Sequence, residues 1–396
     1  AETVVNTESS SSPEQHAMTG IHRYFGHLTD DRQSGKVDYP LITIITIVLL
    51  GTLCGCEGWL EISDWADFRR EWLATFLELG PDGQTPCETT LARVFGRLKP
   101  GPFRDAFFAW AKVLQTATTG DQGSIAIDGK ALRAAMKRSS DKSNLTFVSA
   151  FATDSHLVLG VVKAADKSNE ITAIPQLLAM LDLRKAHVTI DAAGTQTAIA
   201  EQIINAGGDY TLALKGNQGT TFQVVSDTLT DLALDGFKGA TSKAHSTSEI
   251  GHGRSEERRV VAVKVDPSML PDERWTGLKS LVWVERERAS GTAYPSVEHH
   301  YYLSSLAHTE VVRIATSIRA HWSIENNLHW VLDTQFNEDR IAICEANSAE
   351  NLAMIRRFAL NCLQKRQDVR GSKRWKAKRA LADTTFMIET LLRGLP

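Results

Sequence analysis

The chain has 396 residues, a formal net charge of -3 and five cysteines, Cys54, Cys56, Cys87, Cys344 and Cys362. That length supports two or three domains with a sizeable core, and the odd, scattered cysteines form neither a disulfide framework nor a zinc knuckle, a usage that suits a reducing cytosol. The charge balance excludes a protein that is basic throughout, so attraction to nucleic acid has to come from local patches.

Residues 1–20, AETVVNTESSSSPEQHAMTG, lack the basic start and apolar stretch of a secretory signal and read as a flexible polar lead. From 21 to 118 apolar residues recur three and four apart, as in EISDWADFRREWLATFLEL and TTLARVFGRL, with polar breaks at GPDGQTP and KPGP. A helical N-terminal domain follows, in which PCETTLARVFGRL is either a helix-turn-helix element or an ordinary helical pair of the core. The run LITIITIVLLGTLCGC, Leu41 to Cys56, is shorter than the ~20 residues of a membrane span and reads as a buried helix, so no membrane partner is expected.

At Ser124 the period changes. SIAIDGKAL, TFVSAFATD and LVLGVVKA are short β-branched runs between polar loops, hence three strands; ITAIPQLLAMLDL is a helix, HVTIDAAG a strand, TQTAIAEQIINAG a helix and DYTLALKGN a fifth strand. The order β-β-β-α-β-α-β predicts an α/β domain over 119–364. Between 217 and 303 strand-like runs (RRVVAVKV, SLVWVERER, EHHYYLSSL) replace the closing helix, which arrives near Thr309 as TEVVRIATSIRAHWSIENNLHWVLD. A β-rich insertion at about 217–303 therefore precedes the last core helix, in a connection far longer than usual. The segment 365–396 opens on KRQDVRGSKRWKAKR, where Lys373, Arg374, Lys376 and Lys378 beside Trp375 suit either a phosphate backbone or a solvated surface.

Asp128 (AIDGK) and Asp191 (TIDAAG) each end an apolar strand, and strands one and four of this order can lie side by side. Taken singly, each aspartate could merely cap a turn or a helix. Like charges brought together repel unless a cation joins them. On the last helix Trp322, Glu325 and His329 share one face while Ile324, Leu328 and Val331 form an apolar stripe. Two aspartates and a glutamate in this ribonuclease-H-like order make an all-oxygen site suited to Mg²⁺, with Mn²⁺ as a substitute, and to in-line phosphodiester displacement.

Several blocks extend the pattern: IDGKALR (127–133), KSNEITAIPQLL (167–178), TIDAAGTQ (189–196), DYTLALKGNQG (209–219), GHGRSEERR (251–259), YYLSSL (301–306) and RAHWSIENNLHWVLDTQFNED (319–339). Together they resemble the bacterial insertion-sequence DDE transposases, in particular the group of the H-repeat-associated proteins. The resemblance implies a ribonuclease-H-like catalytic core behind a helical associated domain, with Asp128, Asp191 and Glu325 as the catalytic, metal-binding triad. It implies double-stranded DNA as partner, both as transposon-end repeats and as target, with a homodimer on that DNA in the cytoplasm. Metal-dependent cleavage and strand transfer are the expected reactions; a nuclease that cuts without joining and a catalytically silent DNA-binding relic are the alternatives.

Related transposases with a β-insertion often carry a Tyr and an Arg before the glutamate and a Lys seven residues after it; here Ile318, His321 and Leu332 stand there. Expected DNA contacts are Lys130, Arg133 and Lys215 after strand ends, His252 and Arg254 in the insertion, and His321 and Trp322 beside Glu325. Asn217 and Gln218 either bond DNA or close their turn.

Overall fold

The computed structural model describes residues 12–119, 123–132, 145–164, 170–251, 254–266, 269–270, 274–290, 295–340 and 345–396. Six helices open the chain: α1 (Pro13–Phe25), α2 (Leu41–Leu53), α3 (Trp59–Phe68), α4 (Arg70–Leu73), α5 (Glu88–Arg97) and α6 (Pro100–Thr119). Strands β1 (Ser124–Leu132), β2 (Leu145–Ala152) and β3 (Leu157–Lys163) follow, then α7 (Ala173–Met180), β4 (His187–Ile190), α8 (Thr197–Asn205), β5 (Asp209–Leu214) and α9 (Gly219–Leu234). Next come β6 (Ser242–Gly251), β7 (Arg254–Lys264), β8 (Ser280–Ser290) and β9 (Ser296–Ser304), then α10 (Val311–His321) and a π-helical turn (Glu325–His329). The chain ends with α11 (Trp330–Gln335), α12 (Ala346–Lys365), α13 (Lys373–Ala382) and α14 (Thr384–Arg393). These elements form two units, one helical and one built on a sheet.

In the helical unit, α2 is the apolar run of the sequence, buried along almost its whole length, and α12 packs along α2 and α5. Asn351 of α12 donates to the carbonyls of Phe95 and Leu98 at the end of α5, which satisfies groups that a helix terminus leaves unpaired. Among the described residues no helix is long and apolar enough to cross a membrane. Within the expected flexible lead, the part that is described is helical: Ser12 and Gln15 form a reciprocal capping box around Pro13 at the first helical position, signals sufficient to start α1 there, while residues 1–11 lie outside the described residues.

The basic tail divides between two faces. In α13, Lys376, Ala377 and Ala380 are buried while Arg374 and Lys378, four residues apart, stay exposed with Trp375. Burial pushes the Lys373 ammonium down to about 8. Two of the four expected phosphate contacts thus lie on the inward side of their helix.

The sheet unit holds one nine-stranded mixed sheet in the order β3-β2-β1-β4-β5-β9-β8-β7-β6. Strands β1, β4 and β5 run parallel, and β9 pairs antiparallel with β5. The predicted insertion is therefore a continuation of the same sheet. It also contains α9, missed because GTTFQVVSDTLTDLAL is rich in Thr and Val; its buried residues, Val225 and Leu229, are nevertheless four apart. Strand β6 was missed because an edge strand this polar has no apolar alternation to read.

Helix α10 packs Val311, Ile314 and Ile318 against Val260, Ala262, Val282 and Val284 of β7 and β8. It is also tied to β4. The buried His187 ring shares hydrogen bonds with Ser317 of α10 at Nδ1 and Thr211 of β5 at Nε2, each 2.8 Å. Burial, aided by the Arg313 charge, pushes this imidazole down to about 4. The unfolded chain, with an ordinary value near 6.5, then binds the extra proton, so stability is complete above that value and declines as pH falls toward 4. This group alone should remove about 1 kcal/mol per pH unit in that window. Urea unfolding at pH 7 and pH 5 checks it: His187→Gln should be less stable at pH 7 yet lose less between the two pH values, and parallel losses would refute the assignment.

Candidate active site

The two aspartates arrive by strand register. Ile127 pairs with Ile190 across the parallel β1–β4 ladder, so Asp128 and Asp191 emerge one residue further on, from strands ~4.8 Å apart. Asp191 Oδ1 also accepts from the Gly194 backbone N–H at 3.2 Å and caps the short helical turn Ala192–Gly194. Capping and site placement are therefore compatible.

Glu325 arrives by a matched repeat. Along β4, residues 187, 189 and 191 share one face; along the helical run that opposes it, 317, 321 and 325 do. A two-residue strand step is about 6.6 Å and a four-residue helical step about 6 Å, so the repeats stay in phase over a few rungs. His187–Ser317 is one rung, and Thr189 Oγ1 to His321 Nδ1, 2.9 Å, is the next. Asp191 and Glu325, next in each repeat, line with Asp128 a cavity of about 220 Å³.

Two further groups belong to this constellation. His329 is 4% exposed, and its Nδ1 lies 3.1 Å from Glu325 Oε2 and 3.5 Å from Asp128 Oδ2. Glu170 stands beside Gly129, where a Cβ would meet its carboxylate and the glutamate side chain would have to shift, so glycine is what leaves it this place next to β1. Sequence reasoning placed His329 on the face of Glu325 without giving it a role. The available signal was the glutamate four residues before it. Glu170 lies in the KSNEITAIPQLL block but ends no strand, so no local pattern marks it.

The charges are in conflict. Burial raises Asp128 to about 6, with Asp191 and Glu325 pushing the same way and His329 opposing. Burial also raises Glu170 to about 7, with help from Asp191 and Asp128. The His329 hydrogen bond holds the Glu325 carboxyl below the usual carboxylate range, with burial opposing and the charges of His329 and Lys130 assisting. Carboxylates raised by one another are what a cation would relieve, and one ligand atom each from Asp128, Glu325 and His329 lie within 4.8 Å of one another. The donor set fits a divalent metal. Beyond the expected all-oxygen set, an imidazole nitrogen lies among the carboxylates.

The other expected contacts divide. Lys215 is exposed at the rim of the same cavity, and Trp322, 53% exposed, lines it too. Lys130 is 7% exposed and its charge acts on Glu325, which suits support of the site better than an open phosphate contact. His321 is tied to Thr189, and burial pushes it down to about 4, so its ring is neutral at pH 7 and does not fit a cationic phosphate contact. Asn217 and Gln218 both donate to the Ala192 carbonyl, at 2.7 and 2.6 Å, which closes the turn beside Asp191. Arg133 and His252 lie outside the described residues, as does the side chain of Arg254 at the start of β7.

Comparison with known proteins identifies the family. Residues 22–111 match the DDE_Tnp_1-associated model and residues 119–362 the transposase DDE domain. The chain is 37% identical over 371 residues to the transposase-named protein YncI of Escherichia coli O157:H7, covering 93% of each. It is 34% identical over 368 residues to the H repeat-associated protein YhhI of Escherichia coli (strain K12), covering 92% of this chain and 95% of that one. Among solved structures, a piggyBac transposase synaptic complex with hairpin DNA aligns at a TM-score of 0.40 and 10% identity, over 96% of this chain and 80% of that one. With its catalytic-domain match spanning more than half its length and its carboxylates converging where that match lies, the chain belongs to the DDE transposases, in the group of the H-repeat-associated proteins.

Proposed function

We propose that this chain has a ribonuclease-H-like core and, as a homodimer on DNA, cuts a strand at each end of its element and joins the freed 3′-hydroxyl to target DNA. The observation that carries the reading is the convergence of Asp128, Asp191 and Glu325 on one cavity from two adjacent strands and one helical run. A divalent metal held by these three carboxylates would supply charge neutralisation for phosphodiester displacement. Lys130 steadies Glu325 in its ionised form, and exposed Lys215 offers a phosphate contact at the rim. Arg374 and Lys378, exposed on α13, suit contacts that fix DNA without reading its sequence.

The test supplies a labelled end already cut to a 3′-hydroxyl, a supercoiled target plasmid and Mg²⁺ or Mn²⁺; covalent joining of label to plasmid is the expected product. Cleavage of uncut ends without joining would make the protein a nuclease. Specific binding with neither reaction would make it a relic.

Trp322 predicts a substrate difference. Being half-exposed at the cavity, it is available to stack a base unpaired beside the cut, and it contributes little to the core. Trp322→Ala should slow processing of a fully paired end more than of an end with unpaired bases there, because only the first substrate bears the unstacking cost. Stacking worth ~1 to 3 kcal/mol per base widens the gap between substrates about five- to a hundredfold. Equal losses on both ends with a lowered melting temperature would return Trp322 to packing.

A further inference from the structure

His329 is more than a neighbour of the triad. Its spacings of 3.1 Å to Glu325 and 3.5 Å to Asp128 lie just above what one octahedral ion requires: two donors bound at right angles at about 2.1 Å lie about 3 Å apart. The ring is buried, and its Nε2 has no hydrogen-bond partner in the structure. Its Nδ1 points at two carboxylates, so the acidic site is what orients it. Carboxylate and imidazole come from the two ends of one π-helical turn, a backbone form frequent at functional sites.

We propose that His329 is a direct ligand of the site's divalent ion through Nδ1, making it a mixed nitrogen-and-carboxylate centre that prefers Mn²⁺ to Mg²⁺. The inference rests on the reading of Asp128 and Glu325 as metal ligands. Binding uses the neutral ring with its proton on Nε2, so the Nδ1 lone pair faces the ion. Mg²⁺ gains little from exchanging a water for imidazole, since it favours oxygen and dehydrates reluctantly, whereas first-row divalent ions accept nitrogen more readily.

Mn²⁺ bound to the full chain can be read without turnover. Pulsed electron paramagnetic resonance should show coupling to a directly bound ¹⁴N, replaced by a ¹⁵N pattern when the protein is grown on ¹⁵N-histidine. His329→Gln should abolish the coupling, weaken Mn²⁺ at least about tenfold and weaken Mg²⁺, measured by competition, distinctly less. The isotope experiment needs no variant and so stands even if His329→Gln fails to fold. Absence of nitrogen coupling in wild-type protein whose Mn²⁺ binding is weakened by Asp128→Asn and Glu325→Gln would overturn the His329 ligand and leave the carboxylate site intact. Mn²⁺ binding unaffected by those two variants would overturn the metal site itself, and this inference with it.

Discussion

Asp128→Asn, Asp191→Asn and Glu325→Gln should each reduce strand cleavage on the order of a thousandfold while specific DNA binding persists. Each removes a negative donor from a centre whose charge stabilisation of the transition state is worth several kcal/mol, and contacts to phosphates elsewhere still hold the DNA. The isosteric replacements keep local structure, as at Asp191, where an asparagine oxygen can still accept from Gly194. For Asp128 the sign of the stability change separates chemistry from misfolding. Its pKa is raised by burial and by its neighbours, so its charge opposes folding at pH 7, and Asp128→Asn should melt at the same or a higher temperature while losing activity. Gel assays of cleavage and binding on one DNA, with a melting curve for each variant, check the set; a variant that cleaves at a near wild-type rate removes its residue from the triad.

The largest stability effect should come from Glu338, in the NED sequence that follows the site. Its side chain is fully buried in the helical unit, with Arg357 Nη1 donating to Oε1 at 2.8 Å and the Arg356 guanidinium paired with it by charge, Nη1 3.9 Å away. Both arginines are buried, and burial pushes Arg356 down to about 10. Glu338→Ala removes the negative charge between two desolvated guanidinium groups and should cost about 3–5 kcal/mol. That is a large share of the stability of a typical domain. Pairing it with Arg357→Met should recover part of the loss, since removing both partners is milder than stranding one. Urea titration of wild type, both single variants and the double variant gives the coupling; strictly additive losses would mean that the pair does not act as a unit.

The legible parts of this protein were those governed by short-range pattern. Strands β1 and β4 could be read from their β-branched and apolar residues just before an aspartate, although β1 runs on past Asp128 to Leu132 instead of ending there, and the run at α2 because nothing in it is charged. Glu325 could be placed on a helix, but not opposite Asp191, because the rungs through Ser317 and His321 use polar residues that look unremarkable in one dimension. The same limit hid Glu170, which reaches the site only through the folded chain. The inward lysines of α13 are a different case: their spacing with Ala377 and Ala380 already drew a buried stripe, and their charge obscured it.

The sheet's continuity has a consequence for how such chains can be recombined. Strand β9 covers the edge of β5, and Ser304 bonds to Thr211, the residue that holds His187. Excising the segment would strip β5 of its outer hydrogen-bond partners and leave an open edge one strand from Asp191, a template for aggregation. It cannot be exchanged between relatives as a cassette cut at its loops: a viable crossover has to carry β5 and β9 together, and with them the polar stitching that sets the height of the last helix.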